Sequence, residues 1–224
     1  MKKILVVAAH PDDELLGVGG TIAKHTLYGD EVRVIVMCEG ESLRYQDNVG
    51  QQIAMKSAAD ILGVTEIRNL NFPDQKLDTY TLTELIKPLE EVSSEFNPNI
   101  VYCQNGGDAN RDHKILFEAA NIAFRPLNNW LNEFYTFYTL SSTEWAYPRT
   151  FIPDTWNDIS VVLNKKMEAF LKYKSEIREY PHPRSMQAVE TSARFGNQCC
   201  LELQALRQFE DNSMSDGNKQ AYFR

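Results

Sequence analysis

One short turn of this 224-residue chain holds a histidine and three acids: His10-Pro11-Asp12-Asp13-Glu14. The six residues before it, Ile4-Leu5-Val6-Val7-Ala8-Ala9, are all apolar and read as a buried strand. Packing alone gives a buried strand no reason to end in such a cluster, whereas a His/Asp/Asp group can hold a divalent cation. A catalytic zinc site takes three protein ligands and leaves a fourth position for water. His10 and Asp13 offer two ligands, and His113, in Gly106-Gly107-Asp108-Ala109-Asn110-Arg111-Asp112-His113, is the candidate third. Asp12 then stands beside the metal without binding it. There its carboxylate can accept a proton from metal-bound water, whose pKa the ion lowers toward neutrality. A nucleophile with its own general base suits hydrolysis of an amide or ester. The competing reading of the turn is structural, since aspartate also favours turns and helix caps.

Such residues work only if the fold brings them together. Residues 17–27 read as a helix with a glycine-rich entry, 31–38 as a second strand, and 51–62 as a helix stopped by Gly63. A third strand is expected over 65–70. Thr81 and Glu84 form a capping-box signature for the next helix, which Pro88 should kink or shorten. Residues 99–103 form the fourth strand, and 114–124 a helix that His113 opens. The alternation predicts an α/β fold, Rossmann-like, with a mostly parallel sheet and helices on both faces. Ligands of such sheets bind beyond the carboxyl ends of the strands. The loops after the first, second and fourth strands should therefore meet at one sheet end. Further along, 134–140 reads as a strand, 160–180 as one long helix, and Ser185 starts a final helix carrying Val189, Ala193, Gly196, Cys200 and Leu203. Residues 1–224 are expected to form a single domain, with a frayed tail from about Asp211.

A hydrophobic content of 43% supports a sizeable core, and a net charge of −8 argues against a nucleic-acid surface. No apolar segment is long enough to span a bilayer. The run after Met1-Lys2-Lys3 is too short for a signal peptide, so a cytoplasmic protein is expected. The four cysteines, Cys38, Cys103, Cys199 and Cys200, contain no CxxC pair and suggest no disulfide framework. They read as small core residues, with Cys38 at a strand end close to the site. Gly17-Val18-Gly19-Gly20 lacks the third glycine of a dinucleotide loop, where Ile22 stands.

The strand with Ala9-His10-Pro11-Asp12-Asp13-Glu14 resembles the signature of the PIG-L/LmbE-like family of metal-dependent N-deacetylases. Phe72-Pro73-Asp74, Asp108 to His113, Tyr173-Lys174-Ser175-Glu176 and His182-Pro183-Arg184-Ser185 resemble other segments of that family. The resemblance implies removal of an N-acetyl group from an N-acetylglucosamine-type conjugate, with zinc or another divalent metal such as Fe2+. It implies His10, Asp13 and His113 as ligands and Asp12 as general base, the same four residues reached above. Several members carry a second histidine where this chain has Asn110, which can donate a hydrogen bond but not a proton. His182, between two prolines, is the candidate for part of that role, from the same or a neighbouring subunit of a homo-oligomer. Arg44 stands where members often carry a substrate-binding arginine, and a guanidinium there could hold sugar hydroxyls or a phosphate. Two competing functions are a non-catalytic sugar-binding module and an Fe(II) enzyme using a two-His-one-carboxylate site.

Overall fold

The computed structural model describes residues 1–40, 49–125, 129–149, 151–194 and 201–208. Arg44, Gly196, Cys199, Cys200 and the expected tail from Asp211 lie outside the described residues. Five parallel strands form the frame: β1 (Lys3–Ala8), β2 (Glu31–Cys38), β3 (Glu66–Phe72), β4 (Ile100–Gln104) and β5 (Glu133–Phe137). Two more, β6 (Thr155–Asp158) and β7 (Leu201–Gln208), extend the sheet antiparallel beyond β5. The order β3-β2-β1-β4-β5-β7-β6 is that of a Rossmann-like sheet with an antiparallel edge.

The helices are α1 (Asp13–Leu27), α2 (Val49–Leu62), α3 (Leu82–Phe96), α4 (Arg111–Ala123), α5 (Leu163–Phe170) and α6 (Met186–Ala193). Strand β1 is apolar from Ile4 onward because both faces are covered. Ile4, Val6 and Ala8 pack among residues of α1, α2, α5 and α6, while Leu5, Val7 and Ala9 pack among those of α3 and α4. The sheet order reverses direction between β1 and β4, and the crevice at such a switch point is where ligands bind in these sheets. The residues after β1 and after β4 are His10–Glu14 and Asn105–His113, so topology alone delivers both groups to one crevice.

Helix α1 begins at Asp13 rather than 17, and its backbone kinks at Val18. Its glycines admit close neighbours: a Cβ on Gly17 would stand 2.2 Å from Cδ2 of Phe137. Gly17→Ala is expected to destabilise the fold by about 1–3 kcal/mol through overpacking, visible as a lower urea midpoint at unchanged slope. The capping box forms at Thr81 and Glu84, as the spacing predicts. Pro88, however, neither breaks nor shortens α3, which runs 15 residues through it. Thr83 and Glu84, one turn earlier, are exposed, so water can take the carbonyl that proline leaves without a donor.

The second half departs further from expectation. The predicted helix over 160–180 ends at Phe170, and the chain then turns repeatedly. The turns that follow carry Tyr173 to Glu14 and Glu176 to Gln51, and both side chains are buried and bound to those polar partners. The predicted final helix stops at Ala193, and Leu203 belongs to strand β7. Strand β6 falls between the strand expected over 134–140 and the helix expected from 160, where the sequence pattern predicts no element. Among the described residues, no helix is long and apolar enough to cross a membrane.

Candidate metal centre

The turn after β1 is held from several sides. The N–H of Ala9 donates to the fully buried Gln104 Oε1 at 2.6 Å, tying the end of β1 to β4. The N–H of His10 donates to Asp13 Oδ2 at 2.9 Å. Asp12 follows Pro11 with a φ of +111°, a region L-residues with side chains rarely occupy, and it caps α1 by accepting from Leu16 N–H through its carbonyl. Its own N–H donates to Glu14 Oε2 at 3.1 Å, and Glu14 Oε1 accepts from the Tyr173 hydroxyl at 2.6 Å. Glu14 thus holds the strained turn from inside the core. Burial raises its pKa to about 7.

Three donor atoms converge. Asp13 Oδ2 lies 3.2 Å from His10 Nδ1 and 3.2 Å from His113 Nε2, and the two nitrogens lie 3.3 Å apart. Ligand atoms about 2.0–2.1 Å from a tetrahedral ion stand roughly 3.3 Å from one another, so this triangle has the dimensions of one face of such a site. A two-nitrogen, one-oxygen donor set suits zinc and also Fe2+. Each imidazole is backed by a carboxylate on its other nitrogen, the arrangement that orients metal-binding histidines. Asp112 Oδ2 lies 3.0 Å from His10 Nε2, and Asp108 Oδ1 lies 3.2 Å from His113 Nδ1. Asp108 is anchored in turn by the hydroxyls of Ser142 and Thr143. The Asp108 contact is off the line of a hydrogen bond, leaving His113 Nδ1 without a formal partner.

The electrostatics follow from this density of acids. Burial opposes charge on both histidines, but hydrogen bonds that its ring donates to Asp112 and Asp13 hold His10 well above the usual imidazole range. His113 rises to about 9, against burial, through the charge of Asp13. Burial likewise opposes charge on Asp13, yet His113 and His10 hold it well below the carboxylate range. A metal-free cluster with these shifts retains protons where a cation would sit. Asp12 shifts the other way, pushed up by burial and by Asp13, Glu176 and Glu14, with Arg184 as the opposing charge.

A cavity of about 230 Å3 opens over the triangle, with Asp12, Asn110 and Arg184 in its wall. Arg184 Nη1 reaches Asp12 Oδ2 at 3.1 Å and also pairs with Glu176. Asp12 Oδ2 is buried and makes no aligned hydrogen bond, so it retains acceptor capacity toward the cavity. Glu176 Oε1 accepts from Gln51 Nε2 at 2.9 Å. Gly40 makes room for that glutamine, since a Cβ at its φ of +105° would meet Gln51 Oε1 at 2.3 Å.

His10, Asp12, Asp13, Asn110 and His113 therefore meet at one site, whereas His182 does not line it. The side chain of Asn110 is the N-cap of α4, its Oδ1 accepting from Asp112 N–H at 2.9 Å. His182 is exposed, and its Nδ1 accepts from the backbone N–H of Arg184 at 3.0 Å. Sequence reasoning assigned no role to Arg184, Glu176, Gln51 or Asp108. Arg184 and Glu176 stand in segments that resembled a family pattern, but only burial beside Asp12 marks them out.

A family model described as GlcNAc-PI de-N-acetylase, PIG-L, matches residues 5–124. A diacetylchitobiose deacetylase of Thermococcus kodakarensis is 30% identical over 193 residues, covering 80% of this chain and 72% of that protein. A probable N-acetyl-alpha-D-glucosaminyl L-malate deacetylase 2 of Bacillus anthracis is 26% identical over 186 residues, covering 78% of this chain and 81% of that one. The crystal structure of a conserved protein from Thermus thermophilus shares the fold, with a TM-score of 0.75 at 24% identity, over 91% of this chain and 94% of the other.

Proposed function

The chain belongs to the PIG-L family and is an N-deacetylase, and from that premise we propose that it removes the acetyl group of an N-acetylglucosamine-type conjugate, with His10, Asp13 and His113 holding zinc and Asp12 acting as general base. The observation that carries this reading is the triangle of donors 3.2–3.3 Å apart, buried beside a carboxylate oxygen with unused acceptor capacity. Bound there, a divalent ion would supply Lewis-acid polarisation of the acetyl carbonyl and a water of lowered pKa. Asp12 takes the proton of the attacking water. It returns that proton to the nitrogen as the C–N bond breaks, so that acetate and a free amine leave. Burial and neighbouring acids favour the protonated form of Asp12, and Arg184 favours the ionised one. That balance suits a group that must both take and give a proton.

Asn110 can offer its amide N–H groups to the substrate from the cavity wall. His182 acts, within one chain, through the turn that carries Arg184. As a direct proton donor it would have to enter the cavity of a second copy. Arg44 is proposed to contact the sugar or its substituent.

Arg184→Met is expected to lower kcat by roughly 10–100-fold, the range for groups that support a reactive residue, while metal content stays at one equivalent. Arg184→Lys should restore part of the rate, because one nitrogen, Nη1, makes both contacts and an ammonium can stand in its place. The proposed function is tested by incubating the zinc-loaded protein with a panel of N-acetylated sugar conjugates and following loss of acetyl by mass spectrometry. No acetyl loss from any N-acetylglucosamine conjugate in the panel would overturn the substrate class.

A further inference from the structure

The donors around His10 do not end at the triangle. Its Nδ1 faces Asp13 and His113, while its Nε2 faces a separate group on the other side of the ring. Asp112 Oδ2 lies 3.0 Å from Nε2, Asp74 Oδ1 lies 3.1 Å from it, and Cys38 Sγ lies 3.6 Å from Asp112 Oδ2. The donor atoms of His10, Cys38 and Asp112 all fall within 4.8 Å of one another. Around a tetrahedral zinc, oxygen and nitrogen ligands stand roughly 3.3 Å apart and oxygen and sulfur roughly 3.6 Å apart, from the usual bond lengths. We propose that His10 Nε2, Cys38 and Asp112 form a second site for a thiophilic divalent cation, and that its occupation inhibits the enzyme.

The position of Cys38 is unusual for its strand. Val32, Val34 and Val36 of β2 face one core, and Ile35 and Met37 face the other. Strict alternation would send Cys38 to the side of Val36, yet it packs with Met37. The pairing of β2 with β3 shifts register between Val36 and Cys38, and such a bulge re-aims the side chain that follows it. Here it turns the sulfur toward Asp112. The carboxylate of Asp112 is also fixed, its Oδ1 accepting from Leu77 N–H at 3.2 Å while Oδ2 faces His10 and Cys38. The exposed Gln75, with Nε2 3.2 Å from His10 Nε2, lies on the side from which an ion would enter.

The group offers one nitrogen, one sulfur and one oxygen donor, and Asp74 Oδ1 stands beside the nitrogen, 3.1 Å away. A thiolate selects zinc, cadmium or cobalt over magnesium and manganese. Binding there releases two protons to solvent, the Nε2 proton that His10 otherwise gives to Asp112 and the thiol proton of Cys38, and it takes from His10 the carboxylate contact that orients it at the first site, so filling the second site weakens the first. That inhibitory consequence rests on the catalytic role proposed for His10, whereas the binding does not.

The test starts from protein holding one equivalent of zinc and adds cadmium while the near-ultraviolet thiolate-to-cadmium absorption is followed. With Cys199 and Cys200 changed to serine in every protein compared, the parent should gain this band over one further equivalent, and so should Cys103→Ser, whereas Cys38→Ser should not. Excess zinc should slow the parent roughly fivefold or more, the lower range of such coupling, and slow Cys38→Ser far less. Activity of Cys38→Ser at one equivalent should match the parent. If Cys38→Ser does not fold, Cys38→Ala carries the same comparison. A band of equal size in the Cys38 variant, or no thiolate band at saturating cadmium, overturns the site, and equal inhibition of both proteins overturns its role. The spectral result stands whether or not any acetylated sugar is turned over, so failure of the proposed deacetylation is told apart from failure of the site.

Discussion

Asp12→Ala is expected to lower the deacetylation rate by roughly 10^2–10^4-fold, the usual contribution of a positioned acid–base group, while leaving one equivalent of metal bound. The separation of these two readouts follows from geometry. The donors that converge belong to His10, Asp13 and His113, and Asp12 adds no atom to that triangle. Its Oδ2 instead meets the cavity and Arg184. Asp12→Asn, with nearly the same volume, should be as inactive as alanine, because an amide cannot take the proton of water. Rate and metal content measured on the same preparations decide the matter. Full activity with metal retained would remove Asp12 as the base, and loss of metal would make it a ligand.

His113→Ala should abolish activity by the other route. Losing a directly bound imidazole is expected to weaken metal affinity by more than the roughly 10–100-fold that follows loss of an outer partner. Asp108→Asn, which disturbs only the support of His113, should fall within that smaller range. The same residue predicts a pH dependence. Without metal its imidazole titrates at about 9, so at pH 7 it carries a proton that an ion must displace. His10, also held above the usual imidazole range, carries a second such proton, so metal affinity should rise with pH by up to about a hundredfold per unit while both are protonated, about tenfold for each. Calorimetry in buffers of different ionisation heat counts the protons released. Release of none at pH 7 would exclude His113 from the ligands.

Much of this centre could be read from the chain because its parts obey local rules. The run from Ile4 to Ala9 has no alternation, which only a strand covered on both faces shows, and five strands with intervening helices dictate where its end must lie. His10, Asp13 and His113 then follow from chemistry and from the sheet end they share. Arg184 and Glu176 were not legible in that way. Their importance arises from the chain leaving the α5 direction after Phe170 to bury Tyr173 against Glu14 and Glu176 against Gln51. The bulge that re-aims Cys38 is likewise a property of the β2–β3 pairing rather than of either strand alone.

The backbone of Asp12 sets stability and activity against each other. Its φ of +111° costs an L-residue on the order of 1–3 kcal/mol, a cost that glycine would not bear. Asp12→Gly would also relieve the repulsion from Asp13, Glu14 and Glu176, while Arg184, which loses Asp12, keeps Glu176 as its partner. Selection for thermal stability alone should thus favour glycine at position 12 and enrich inactive enzyme. Only selection on turnover would keep the aspartate, so a laboratory lineage evolved for heat resistance without an activity screen offers a direct measure of what this turn costs the fold.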